Sequence, residues 1–167
     1  MKYSAVIKAD IANGTGFRVS IFVSGCARNC PGCFNPEAQN PDYGKPFDDE
    51  AKQKIFKELE HKWCRGLTFL GGEPLSKLSD NRATVIAFAK EVKEKFPDKD
   101  IWLWSGYLLE EIQADESMRE ILKYVDVIVD GPFIEELKDR SLAFRGSSNQ
   151  RIVHVTRGSQ MPLELIQ

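Results

Sequence analysis

The strongest constraint on the fold is a rhythm in which short apolar runs each stop at a turn and alternate with stretches of helical spacing. Phe17, Val19, Ile21 and Val23 alternate with Arg18, Ser20, Phe22 and Ser24, a period of two that predicts a strand. A loop containing Pro36 and Pro41 follows. Asp48 then caps a helix that carries Ile55, Phe56 and Leu59 on one face, with Asp49 and Glu50 in its first turn. Leu67 to Leu70 reads as a buried strand that ends at Gly71-Gly72-Glu73-Pro74. Ser79 or Asp80 opens a second helix through Val85, Ala89, Val92 and Phe96, stopping before Pro97. Ile101 to Trp104 predicts a third strand, ending in Ser105-Gly106-Tyr107 and followed by broken helix over 108–123. Val125 to Val129 predicts a fourth, ending at Asp130-Gly131-Pro132. A short helical piece over 133–138 and a last strand over 151–155 complete the pattern, and the polar tail over 156–167 is weakly defined. Residues 1–16 read as a lead-in segment with a turn at Asn13-Gly14.

Strands alternating with helices imply an α/β fold with a largely parallel sheet, right-handed crossovers, and ligands gathered at the C-terminal strand ends. The strand ends are where the unusual residues fall. A closed eight-unit barrel takes about 250 residues; at 167 residues this chain is expected to form a single domain, 1–167, that builds part of one. Its net charge of −2 and lack of a basic run give no footprint for nucleic acid or an anionic membrane. The N-terminus has no apolar signal core and no stretch reaches the length of a membrane span, so a cytoplasmic location is expected.

Three of the four cysteines, Cys26, Cys30 and Cys33, fall in a C-x3-C-x2-C triplet just after the first strand. In a reducing compartment such clustered thiols are better read as metal ligands than as disulfides. Thiolates suit iron–sulfur clusters and zinc, and both ordinarily fill four positions. Three ligands leave a metal open for chemistry. A zinc site completed by Cys64, His61 or His154 is the structural alternative, and otherwise Cys64 reads as a small buried apolar residue. Trp102 and Trp104 read as core, Asp130-Gly131-Pro132 as a plain turn, and Arg145 and Arg151 as solvated loop residues. Neither histidine has the neighbours of a hydrolytic triad.

The triplet resembles the signature of the radical S-adenosylmethionine superfamily. Its context narrows the match. Asp10 to Gly16, Phe22 to Asn35, Gly71 to Pro74, Asp100 to Tyr107, Val125 to Pro132 and Phe144 to Gln150 resemble, in order and spacing, the activating proteins of anaerobic ribonucleoside-triphosphate reductases. Members of that family often carry Asp where Glu73 stands and Tyr where Phe34 stands. The resemblance implies a partial, open (β/α) barrel of the radical S-adenosylmethionine type. It also implies one [4Fe-4S] cluster held by Cys26, Cys30 and Cys33, with S-adenosylmethionine on the fourth iron. Gly71 and Gly72 are expected beside the methionine part, Glu73 near its ammonium, and Gly32 and Phe34 on the adenine side. Ser105 and Gly106 are further candidate cofactor contacts. The implied activity is formation of a 5'-deoxyadenosyl radical that installs a glycyl radical on the reductase, with reduced flavodoxin as electron donor. The other readings are an activase of a different glycyl-radical enzyme and a non-catalytic iron–sulfur or zinc module.

Overall fold

The computed structural model describes residues 1–155; the weakly defined tail expected over 156–167 lies outside the described residues. Seven strands form one sheet, in spatial order β3-β1-β2-β4-β5-β6-β7. They are β1 (Lys2–Asp10), β2 (Phe17–Val23), β3 (Lys45–Pro46), β4 (Cys64–Gly71), β5 (Asp100–Ser105), β6 (Val127–Asp130) and β7 (Arg151–His154). The four central strands β2, β4, β5 and β6 are mutually parallel, joined by the expected helical crossovers. The helices are α1 (Asp49–Leu59), α2 (Asn81–Lys95), α3 (Leu109–Ala114) and α4 (Glu116–Arg119). The sheet does not close: β3 and β7 are its edges.

The lead-in segment expected over 1–16 contains a nine-residue strand. β1 pairs antiparallel to β2, and its many exposed positions are what an edge region tolerates and what hides it from a search for apolar runs. β3 is too short to leave a pattern. The last strand, β7, also joins antiparallel, against β6. The helical piece expected over 133–138 is a single 3-10 turn, Glu135–Leu137.

Successive side chains of a strand point to opposite faces, and here both faces are covered. On one, Val19, Ile21, Leu67, Phe69, Ile101, Leu103 and Ile128 form the main core with Ile55 and Leu59 of α1 and Val85, Phe88 and Val92 of α2. Asp48 caps α1 by accepting a hydrogen bond from the Ala51 N–H at 2.9 Å. The other face holds Trp102, Val127, Val129 and Ile152, with Trp104 and Phe144 packed against them.

Arg18 and Ser20, which alternate with the core residues of β2, are buried, because residues 11–16 fold across that face. Arg18 is fully buried. It donates to Thr68 Oγ1 at 2.8 Å, to the Thr15 carbonyl at 2.9 Å and to the Leu67 carbonyl at 3.1 Å, and pairs with Asp100. Its guanidinium also lies over the Trp102 ring at 5.3 Å. A buried charge is tolerated where it is paired and its donors are occupied, and here each of the three guanidinium nitrogens has a partner.

Candidate functional site

Parallel registry brings the strand ends level: Val23 is opposite Gly71, and Ser105 is opposite Asp130. The loops leaving those ends surround a cavity of about 460 Å³. Its wall includes Cys26, Cys30, Cys33 and Phe34 from the loop after β2, and Gly71, Gly72 and Glu73 from the loop after β4. Ser105 and Gly106 join them from the end of β5. Gly32 is not among the lining residues; at φ +66° it turns the chain, and a Cβ there would run into the Glu135 carboxylate.

The cysteine loop is held by backbone bonds to two others. Gly25 N–H donates to the Ala38 carbonyl at 2.7 Å, and Cys26 N–H to that of Gln39 at 3.0 Å. Gly72 N–H donates to Val23 at 2.7 Å, and Glu73 N–H to Gly25 at 3.0 Å. This close approach requires glycine at position 72, where a Cβ would stand 2.8 Å from the Ala38 carbonyl oxygen and 2.9 Å from that of Gly25. Asn81, fully buried at the start of α2, ties the loops together. Its Nδ2 donates to Ser24 at 2.8 Å and reaches the carbonyls of Gly25 and Glu73 at 3.3 Å. Sequence reasoning missed Asn81, since a single polar residue opening a helix carries no spacing signal.

Glu73 is 2% exposed. Its Oε1 accepts from Leu75 N–H at 3.0 Å and Ser105 Oγ at 2.9 Å, and its Oε2 from Gly106 N–H at 2.8 Å. Burial pushes its pKa up, while these donors and the Arg28 charge pull it back. Burial likewise raises the Cys26 thiol, and the negative charge of Glu73 and the other two thiols adds to it. Metal coordination reverses that balance, because a bound thiol is deprotonated by the ion. Cys33 Sγ accepts from Asn35 N–H at 3.4 Å, the kind of contact that supports a thiolate.

The three triplet thiols share the cavity and are the donor set a cluster takes. The three residues expected to complete a zinc site, Cys64, His61 and His154, lie at the opposite end of the sheet. Cys64 is paired with Phe17, at the start of β2, and His154 with Val127, at the start of β6. His61 immediately precedes β4 at that same end. Among the described residues, no three His, Cys, Asp or Glu side chains converge as one zinc ion requires. The completed zinc site is therefore overturned, and Cys64 is a buried core residue at 1% exposure.

Three further expectations are corrected. Asp130 is no plain turn residue: it is fully buried, accepting from Leu109 N–H at 2.7 Å and from Arg151 Nε at 2.9 Å. Arg151, expected to be solvated, also pairs with Glu110. Arg145 lines the cavity with Leu142, Phe144 and Gly146, so the stretch after β6 forms one of its walls. Phe133 is there too, with its ring 5.1 Å from that of Phe34.

A family model described as a 4Fe-4S single cluster domain matches residues 12–153. Curated relatives extend the match over nearly the whole chain. The anaerobic ribonucleoside-triphosphate reductase-activating protein of Haemophilus influenzae is 44% identical, over 92% of this chain and 97% of its own. Proteins of the same name from Pasteurella multocida and Enterobacteria phage T4 are 42% and 40% identical, over 94% and 95% of this chain. They cover 99% and 97% of their own lengths. With the cysteine loop, the parallel strand ends and these relatives in agreement, the chain belongs to the family of anaerobic ribonucleoside-triphosphate reductase-activating proteins.

Proposed function

We propose that the protein is a radical S-adenosylmethionine enzyme that installs a glycyl radical on an anaerobic ribonucleoside-triphosphate reductase. The observation that carries this reading is the segregation of the cysteines: three thiols line one cavity, and the fourth is buried at the far end of the sheet. Cys26, Cys30 and Cys33 would hold a [4Fe-4S] cluster, a three-thiolate set that would leave one iron for S-adenosylmethionine. With both bound, reductive cleavage of the sulfonium supplies a 5'-deoxyadenosyl radical that takes hydrogen from a backbone glycine of the reductase.

The chain's own residues bind and orient. Gly71 and Gly72 border the methionine part. A carboxylate accepts at about four sites, and Glu73 has one left on Oε2 for the cofactor ammonium after its three internal donors. Phe34, 66% exposed beside Phe133, offers an aromatic face for the adenine, and Gly32 shapes the turn that presents it. Ser105 and Gly106 act through Glu73, which both of them hold. The sheet is read as the partial barrel of this superfamily, its helices on one face and its cofactor at the strand ends. The protein partner would cover the open side. A reduced flavodoxin is the proposed electron donor and the cytoplasm the proposed location. No helix among the described residues is long and apolar enough to cross a membrane.

The test is anaerobic reconstitution with iron and sulfide, followed by S-adenosylmethionine and dithionite with the reductase present. 5'-Deoxyadenosine and methionine are expected in equal amounts, with a glycyl radical signal by electron paramagnetic resonance. Cys30→Ala should abolish cluster uptake and both products, and Cys64→Ala should leave them intact. A competent reduced cluster that yields neither product, or equal loss in the two variants, would refute the reading.

A further inference from the structure

We propose that Arg28 is a positioning residue for the carboxylate of the amino-acid part of the cofactor, an assignment that rests on the functional reading above. Arg28 stands inside the triplet, between Cys26 and Cys30, and lines the cavity. Its Nε is buried and has no hydrogen-bond partner. A buried N–H without an acceptor is costly unless a ligand provides one. The nearest acidic oxygens fall short of hydrogen-bond reach: Glu73 Oε2 is 3.9 Å from Nε, and Glu111 Oε2 is 3.8 Å from the other end of the guanidinium.

The side chain is nevertheless held in place. Its guanidinium lies 4.5 Å from the centre of the Tyr107 ring. Gly106 makes room for it, since a Cβ at that position would collide with Arg28 Cδ and Nε. A planar guanidinium fixed by stacking, charged at every working pH and carrying a free N–H is suited to a carboxylate. The cofactor carboxylate needs such a donor. With one oxygen on a cluster iron, the other would be shut in the cavity and would require a hydrogen-bond donor.

The cationic side chains that line the cavity are Arg28 and Arg145, and Arg145 also has a buried Nε without a partner. Arg145 comes from the wall formed by the stretch after β6, whereas Arg28 is part of the cluster loop itself. Arg28 is thus the one positioned for a group chelated at the cluster. Beside it, Glu73 takes the ammonium, so the pair reads the two charges of one α-amino acid.

Equilibrium dialysis of S-adenosylmethionine and of its decarboxylated analogue tests the assignment, on reconstituted wild type, Arg28→Gln and Arg145→Gln matched for iron and sulfide. Loss of a charge-assisted hydrogen bond should weaken S-adenosylmethionine binding to Arg28→Gln about 10- to 100-fold. The analogue should change by less than about 3-fold in the same variant. If Arg28→Gln takes up no cluster, Tyr107→Leu removes the ring on which the guanidinium rests and should show the same selective loss. Equal weakening of both ligands, no weakening of S-adenosylmethionine, or a selective loss found in Arg145→Gln instead would overturn the assignment. Failure of the cluster-loaded wild type to bind S-adenosylmethionine would remove the functional reading itself.

Discussion

Asn81→Ala should loosen the cysteine loop without touching a proposed ligand. The Asn81 amide is fully buried and its Nδ2 serves three carbonyls, of which Ser24 at 2.8 Å takes the shortest bond. A net hydrogen bond contributes about 1 kcal/mol, and a buried acceptor left without its donor costs about 1–3 kcal/mol. The other two contacts, at 3.3 Å, share the same two amide hydrogens and are not counted in full. The expected loss is about 2–3 kcal/mol, which in a domain of this size lowers Tm by about 5–10 °C. Circular dichroism melts of the cluster-free, reduced protein measure it. Iron retention after gel filtration should fall in parallel, because Ser24 and Gly25 lead directly into Cys26. Asn81→Asp is the sharper variant: at pH 7 it turns a carboxylate oxygen toward carbonyl oxygens and should cost more than alanine. A Tm within about 1 °C of wild type for Asn81→Ala, or Asn81→Asp no worse than Asn81→Ala, would refute the reasoning.

Arg151→Ala leaves the buried carboxylate of Asp130 with only the Leu109 N–H, and should cost about 2–3 kcal/mol after allowance for the partial exposure of the arginine. Asp130→Asn in the same chain should recover part of that loss in urea titrations, because no unpaired charge remains to bury. Asp115 is held at a pKa of about 2, below its ordinary 3.8, chiefly by the Ser117 hydroxyl and also by the Ser117 and Met118 N–H groups. A depressed carboxylate stabilises the fold above its unfolded pKa, so this contribution should fade as pH drops from about 4 toward 2. Ser117→Ala should flatten that part of the stability profile, and an unchanged acid slope would rule the contact out as its cause.

Much of the site was legible because its chemistry is written locally. The spacing of Cys26, Cys30 and Cys33, and the glycines that end the run Leu67 to Leu70, are properties of short windows, and parallel topology predicts that such strand ends share a mouth. A cavity wall that draws Cys26, Cys30, Cys33 and Phe34 from one loop, Gly71 to Glu73 from a second and Ser105 and Gly106 from a third accords with that expectation. Less legible were residues whose role depends on a distant partner. Arg151 looked like a loop cation because Asp130, 21 residues away, became its partner only when β7 paired with β6. The burial of Arg18 was not legible either, because nothing within β2 shows that residues 11–16 cover that face.

Sequence alone determined the succession of the central strands and their crossover helices, and the family, since periodicity and motif spacing are carried by neighbours along the chain. Tertiary structure decided that Cys64 lies at the far end of the sheet from the triplet, which edge strands run antiparallel and how the cavity is walled. It also decided that Asn81 binds the cysteine loop across 56 and 57 residues and that Arg28 lies in the space left by Gly106. Burial and hydrogen-bond partnership are set by segments far apart in sequence, and they become determinate only when the sheet brings those segments into contact.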